Sequence, residues 1–164
     1  MAYTIQNLVW SGWADIGPFN AHNFYPCEYQ NEQHLCMFQG NQLFGYARGH
    51  AIILNQDYKI VKTIEAIGDV PPLDQHEFRL IDGGKKALIT IYQQVPYDLS
   101  RLDITGGVGW VMNSIFQEID VENNSLLFEW NSLNHVEPWI SYVYPRSSDI
   151  AGTGEIAQSP WDYL

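Results

Sequence analysis

Basic residues are scarce: eight Lys and Arg stand against nineteen Asp and Glu in the 164-residue chain, a formal net charge of −11. That field repels phosphate backbones and anionic lipid, so nucleic acid and an acidic membrane surface are excluded as partners. Long apolar runs are missing as well. The longest, such as residues 51–54 and 126–128, are strand-sized, and residues 1–10 carry neither the basic nor the apolar region of a signal peptide. No membrane span and no signal peptide are expected, and the compartment stays unassigned. Metal spacing is absent from the five histidines, and two cysteines cannot make a structural zinc site alone, so no metal and no cofactor are expected. A two-residue turn at Asn31-Glu32 would set Cys27 opposite Cys36, within disulfide reach. Without a secretory signal, two reduced core thiols are the expectation.

No stretch of ten or more residues holds a 3.6-residue apolar repeat, which excludes a helical architecture. What the chain does have is 46% hydrophobic and 14% aromatic residues, enough for a real core in one domain spanning 1–164. These residues fall in short β-branched and aromatic runs separated by turn chemistry, an all-β pattern. Four hairpins are predicted: 24–29 with 34–38, 51–54 with 59–64, 78–81 with 87–92, and 115–121 with 126–130.

Paired, the hairpins make four-strand units over about 23–64 and 77–130. His22-Asn23-Phe24 opens the first and His76-Glu77-Phe78 the second, 54 residues later, each His standing 12 residues after a strand that ends at Trp10 or Ile64. A lone outgoing strand is predicted at residues 7–10, and residues 131–164 read as a long irregular loop or tail. Four-strand repeats that cannot cover their own faces fit blades of a β-propeller better than an immunoglobulin-like sandwich. About two to two and a half blades are present, so the propeller is expected to be incomplete. Its uncovered faces and edges predict self-association, or a second chain that completes it.

At Leu8-Val9-Trp10-Ser11-Gly12, Asp74-Gln75-His76-Glu77-Phe78, Ala87-Leu88-Ile89-Thr90-Ile91-Tyr92, Phe116-Gln117-Glu118-Ile119-Asp120 and the run Leu127 through Val136, the chain resembles the fungal arylsulfotransferase-like family. The resemblance covers nearly the whole chain. It implies a six-bladed β-propeller and transfer of a sulfuryl group from one phenol to another through a histidine, without a nucleotide sulfate donor. It also implies a fungal secondary-metabolite setting, and relatives are often secreted. In the family the segment similar to Ser159-Pro160-Trp161-Asp162-Tyr163 runs on into a His-x-Asn-Ser motif and later an Arg-His strand. Here the sequence ends at Leu164, so the expectation is a truncated, catalytically incomplete propeller.

Within that frame His76 is the best-placed chemical residue, because the strand after a blade-to-blade connection enters at the central channel. Sulfuryl transfer needs a nucleophile that is neutral near pH 7, and imidazole is one; cationic donors must then cover the anionic oxygens. His76 is expected as such a donor or as a general acid–base group, against the plainer reading of a strand-start histidine bonded to a neighbouring blade. His22 holds the equivalent place one repeat earlier. Trp139 and Trp161, both in the long loop, are expected ligand walls for a phenolic small molecule. Trp10 and Trp130 are expected in equivalent inter-blade core positions, and His50 and His135 as structural anchors. Arg48, Arg79, Arg101 and Arg146 are the only arginines; Arg79 is not expected to be the anion clamp. Asp82-Gly83-Gly84 and Thr105-Gly106-Gly107 lead into no helix and read as turns rather than phosphate loops. Two functions compete: an arylsulfotransferase-like protein acting on phenols, and a non-catalytic binding or assembly protein that uses its exposed blade faces.

Overall fold

The computed structural model describes residues 20–43, 45–102 and 109–141. The strand expected at residues 7–10, together with Trp10, Trp161 and Arg146, lies outside them.

Eight strands alternate direction through the described residues: β1 (Asn20–Tyr29), β2 (Glu32–Gln42), β3 (Ala47–Leu54), β4 (Ile60–Ile64), β5 (Phe78–Ile81), β6 (Lys86–Tyr97), β7 (Gly109–Asp120) and β8 (Ser125–Asn131). They form two four-stranded sheets, ordered β1-β2-β3-β4 and β5-β6-β7-β8, with every pairing antiparallel. The predicted units thus appear as two meander sheets. After β8, short 3-10 turns occupy Ser132–Asn134 and Pro138–Ile140, and residues 142–164 of the expected loop or tail lie outside the described residues.

Local chemistry sets the turns. Gln30 and Asn31 both take positive φ (52° and 62°), the requirement of the turn that matches the strand twist in a two-residue hairpin. At the β5–β6 turn Asp82, Gly83 and Gly84 are likewise left-handed. A Cβ on Gly84 would stand 2.3 Å from the Glu28 carbonyl oxygen, so this turn lies directly on the end of β1.

That geometry corrects the cysteine expectation. The turn is Gln30-Asn31, not Asn31-Glu32, so Tyr29 pairs with Glu32, Cys27 with His34 and Tyr25 with Cys36. The cysteines therefore lie diagonally on one face of the hairpin, with Cα atoms 5.8 Å apart, and they are joined in a disulfide. Both are buried in the core.

The core lies between the sheets. Cys27, Cys36, Phe38, Ala51 and Ile53 of the first sheet share one cluster with Phe78, Ala87, Ile89, Ile91, Ile115 and Ile119 of the second. Alternation along β7 decides the faces: its odd-numbered residues from Gly109 to Ile119 are buried and its even-numbered ones are not. At the outer edge of β5, Asn23 Nδ2 donates to the Phe78 carbonyl (3.3 Å) and the Leu80 N–H donates to Tyr25 Oη (2.9 Å). Two side chains of β1 thereby occupy backbone groups that an edge strand otherwise leaves open. Gln117, fully buried on β7, binds both backbone groups of Ile67 (2.9 and 2.7 Å) and donates to Glu129 Oε2 (2.7 Å), fixing the connection between the sheets.

Trp130 departs from its expected core position. It is half-buried on the outward face of the second sheet, because its partner Phe116 belongs to the even-numbered, outward set of β7.

The bridge spans nine positions of chain and closes a short loop, for which chain entropy gives about 2–3 kcal/mol of stability. Urea unfolding with and without dithiothreitol should differ by that amount, and Cys27→Ala/Cys36→Ala should reproduce the reduced value; identical midpoints would refute the contribution.

Candidate functional site

An antiparallel four-strand meander brings the start of its first strand, its central loop and the exit of its last strand to one end. Here that end collects His22, the loop between β2 and β3, the connection 65–77, the loop after β6 and the segment after β8. Among the described residues the opposite end holds the four tight turns. The two sheets meet at the loop-bearing end, where the Gly49 N–H donates to the Leu73 carbonyl (3.0 Å).

The next residue organises the site. Asp74 is fully buried. Its Oδ1 accepts the Ala47 N–H (2.6 Å) and its Oδ2 the His76 N–H (2.8 Å), while the Asp74 N–H donates to the Thr90 carbonyl (2.8 Å). Glu77 continues the stitching, since its N–H reaches Thr90 Oγ1 (3.2 Å) and its carbonyl accepts the Thr90 N–H (3.3 Å). One carboxylate thus binds the start of β3, and the same short segment is held along β6.

Oδ2 also receives Nδ1 of His76, in a close contact. An ionised carboxylate only accepts, so the proton of the neutral ring stands on Nδ1 and the lone pair on Nε2. The His76 side chain is 48% exposed, and its ring meets Tyr92 edge-on at 5.6 Å between centroids. Burial, then the Asp74 charge, pushes the Tyr92 phenol above its ordinary value, so it stays protonated at neutral pH. Tyr92 and Gln94 follow one another on one face of β6, and Gln94 Nε2 donates to the hydroxyl of Tyr46. Asp74, His76 and Tyr92 together can hold a neutral imidazole in one orientation with a nucleophilic nitrogen and a neutral phenol beside it.

His22 is half-buried on β1, its ring 6.4 Å from that of Phe38, and its Nε2 is buried without a hydrogen-bond partner. It shares the end of the sheets with His76. Among the described residues no hydrogen bond or ring contact joins the two. Trp139 packs edge-on against Tyr97 (5.8 Å) beneath the Arg101 guanidinium (4.8 Å). Beside it a cavity of about 270 Å³ opens between β7 and the 3-10 turns, lined by Met112, Leu133, Val136, Ile140 and Glu137. His50 bonds Gln39 Oε1 (3.0 Å) and His135 stacks on Trp130 (5.6 Å). Arg79 pairs with Glu77 (3.4 Å) and lies over Tyr25, and Arg48 lies over Tyr46. Among the described residues no three His, Cys, Asp or Glu side chains converge as metal ligands.

Sequence reasoning singled out His76 and missed Asp74 and Tyr92. The signal available was the Asp-x-His spacing, which lets a carboxylate receive both the backbone and the ring of the second residue after it.

An all-β chain with an Asp–His pair where two meander sheets meet is the setting for the comparison with known proteins. Residues 26–164 match the family described as Arylsulfotransferase (ASST), and the chain belongs to that family. Neither a curated protein nor a solved structure matches it.

Asp74→Ala leaves the N–H groups of Ala47 and His76 without acceptors and should cost about 3 kcal/mol in urea unfolding. Asp74→Asn should cost less, because its amide oxygen still accepts from Ala47. His76→Ala, at a half-exposed ring, should stay within about 1 kcal/mol of the parent. A His76→Ala loss as large as that of Asp74→Ala would show that the ring, not the carboxylate, holds the segment.

Proposed function

We propose that the chain is an arylsulfotransferase-like protein acting on phenolic small molecules, in a fungal secondary-metabolite setting, with its two sheets as successive blades of a propeller. The observation that carries the chemistry is the Asp74–His76 pair. With the Nδ1 proton held by Asp74, Nε2 is the available nucleophile. It attacks the sulfur of an aryl sulfate, an N–S bond forms, the S–O bond to the aryl group breaks, and the leaving phenolate takes a proton from solvent. A second phenol then gives its proton to solvent and its oxygen attacks the same sulfur; the new S–O bond forms, the N–S bond breaks, and the neutral ring is restored.

The charge distribution supports catalytic incompleteness. Transfer needs cations over the anionic oxygens, and the chain's net charge is −11. Arg79 is engaged by Glu77 and Tyr25, and Arg101 by Trp139. Losing even one charge-stabilising donor costs on the order of a hundredfold in rate. A non-catalytic binding or assembly role is the second reading, favoured by the exposed aromatic face of the second sheet.

The test is an assay with 4-nitrophenyl sulfate as donor and a simple phenol as acceptor, together with NMR titration of the histidine signals by each compound. We expect no appreciable transfer, and weak aromatic binding that shifts the His76 signal and is lost in His76→Ala. Robust turnover abolished by His76→Ala would overturn the incompleteness, and unmoved His76 signals would overturn the site.

A further inference from the structure

The two cysteines of the chain are joined to each other, and neither is free. Disulfides form and persist in oxidising compartments of the secretory type and are kept reduced in the cytosol. Cys27 and Cys36 are both buried in the core between the sheets, so their bond closes as the chain folds rather than on an exposed surface afterwards. The bridge thus bears on where the chain folds, in surroundings that oxidise thiols and that also hold the enzymes which modify extracellular chains.

One surface turn offers such an enzyme a substrate. Asn123-Asn124-Ser125 is an Asn-x-Ser triplet, the one in the sequence, and it lies at the reversal between β7 and β8. Glu122, Asn123, Asn124 and Ser125 are all exposed. The turn is held through its backbone. The Val121 N–H donates to the Lys85 carbonyl (2.9 Å), Lys62 Nζ donates to the Glu122 carbonyl (3.3 Å), and the Asn123 N–H donates to Asp120 Oδ1 (2.8 Å). Among the described residues the side-chain amide of Asn123 makes no hydrogen bond, so a substituent on its Nδ2 displaces no contact of the fold. Along β7 the turn stands roughly 20 Å from Ser114, the partner of Tyr92, at about 3.4 Å per residue. A bulky group there leaves the His76 end open.

We propose that Asn123 is an N-glycosylation site, its amide nitrogen carrying an oligosaccharide added in the compartment where the disulfide forms. The donor is an oligosaccharide on a polyprenyl diphosphate. Asn123 Nδ2 forms a bond to the anomeric carbon of the sugar, the bond from that carbon to the diphosphate oxygen breaks, the diphosphate leaves, and the amide proton passes to solvent. Nothing is oxidised or reduced in this step. The Ser125 hydroxyl is the feature the transferase reads two residues beyond the acceptor.

The test is the mass of the full chain immunoprecipitated from the cells that make it, before and after peptide N-glycosidase, with maleimide labelling under denaturing conditions. We expect a loss of mass on treatment, Asp in place of Asn at position 123 in the digested peptide, and no label before reduction. The full chain expressed behind a cleavable leader in a eukaryotic secretion host should carry the glycan as well. Asn123→Gln and Ser125→Ala should lose it completely. Ser125→Thr should keep it, and so should Asn124→Gly, which suits the left-handed backbone at that position (φ 52°). Attachment to a nascent chain precedes folding, so a variant that fails to fold still reports when translated with microsomes. An unmodified Asn123 or free thiols in the chain from its own cells would overturn the proposal, and so would a glycan that survives Asn123→Gln. The sulfuryl-transfer assay does not read Asn123, so the two readings fail separately.

Discussion

The carboxylate of Asp74 is the constraint on which the arrangement depends. A fully buried anion is tolerated only where its oxygens are occupied, and here they receive two backbone N–H groups and an imidazole. One backbone donor belongs to the start of β3 in the first sheet, and the other opens the entry to β5 in the second. The same group therefore fixes how the sheets meet and how the His76 ring is turned. Gln117 does the parallel work earlier in the connection, binding both backbone groups of Ile67. Between these two side chains, a connection of thirteen residues from 65 to 77 is held without helix or strand of its own.

Much of the fold was legible because turn chemistry is local. Gln30-Asn31, Asp82-Gly83-Gly84 and the residues after Asp120 mark reversals, and the four hairpins and the two sheet units fall where alternation places them. Strand ends were less legible. The ladder from Lys86 to Tyr97 runs well past Tyr92, through Gln93, Gln94 and Pro96, where polar residues hide the pattern although the backbone pairing continues to Gly109. The cysteine pairing was obscured by one position of register: a single-residue shift of the turn changes an opposed pair into a diagonal one, and no composition argument resolves that step.

The site divides in the same way. His76 stood out by its place in the repeat, and His22 by equivalence, since repeat symmetry specifies position. Chemistry is specified by neighbours distant in sequence. Asp74 gains meaning only beside Ala47, and Tyr92 only once β6 passes the connection, so neither announces itself in a linear reading. Trp130 shows the converse. Its large apolar ring reads as core, yet its register with Phe116 puts it on the outward face.

Placing the longer described connections at one end has an energetic reason. The opposite end is closed by tight turns whose side chains serve the backbone, as where Asn55 Oδ1 accepts from Asp57 and Lys59 (3.0 Å each) and Asp120 Oδ1 from Asn123 (2.8 Å). At the loop-bearing end, buried polar atoms without partners do remain: His22 Nε2, Gln75 Oε1 and Trp110 Nε1. A buried orphan costs about 1–3 kcal/mol, and these three, among the described residues, stand at the end that carries the Asp74–His76 pair, where ligand or water can meet them. Stability and site thus divide the described residues lengthwise: the sheets and the turn end carry the fold, and the end that holds His76 also retains unsatisfied polar atoms.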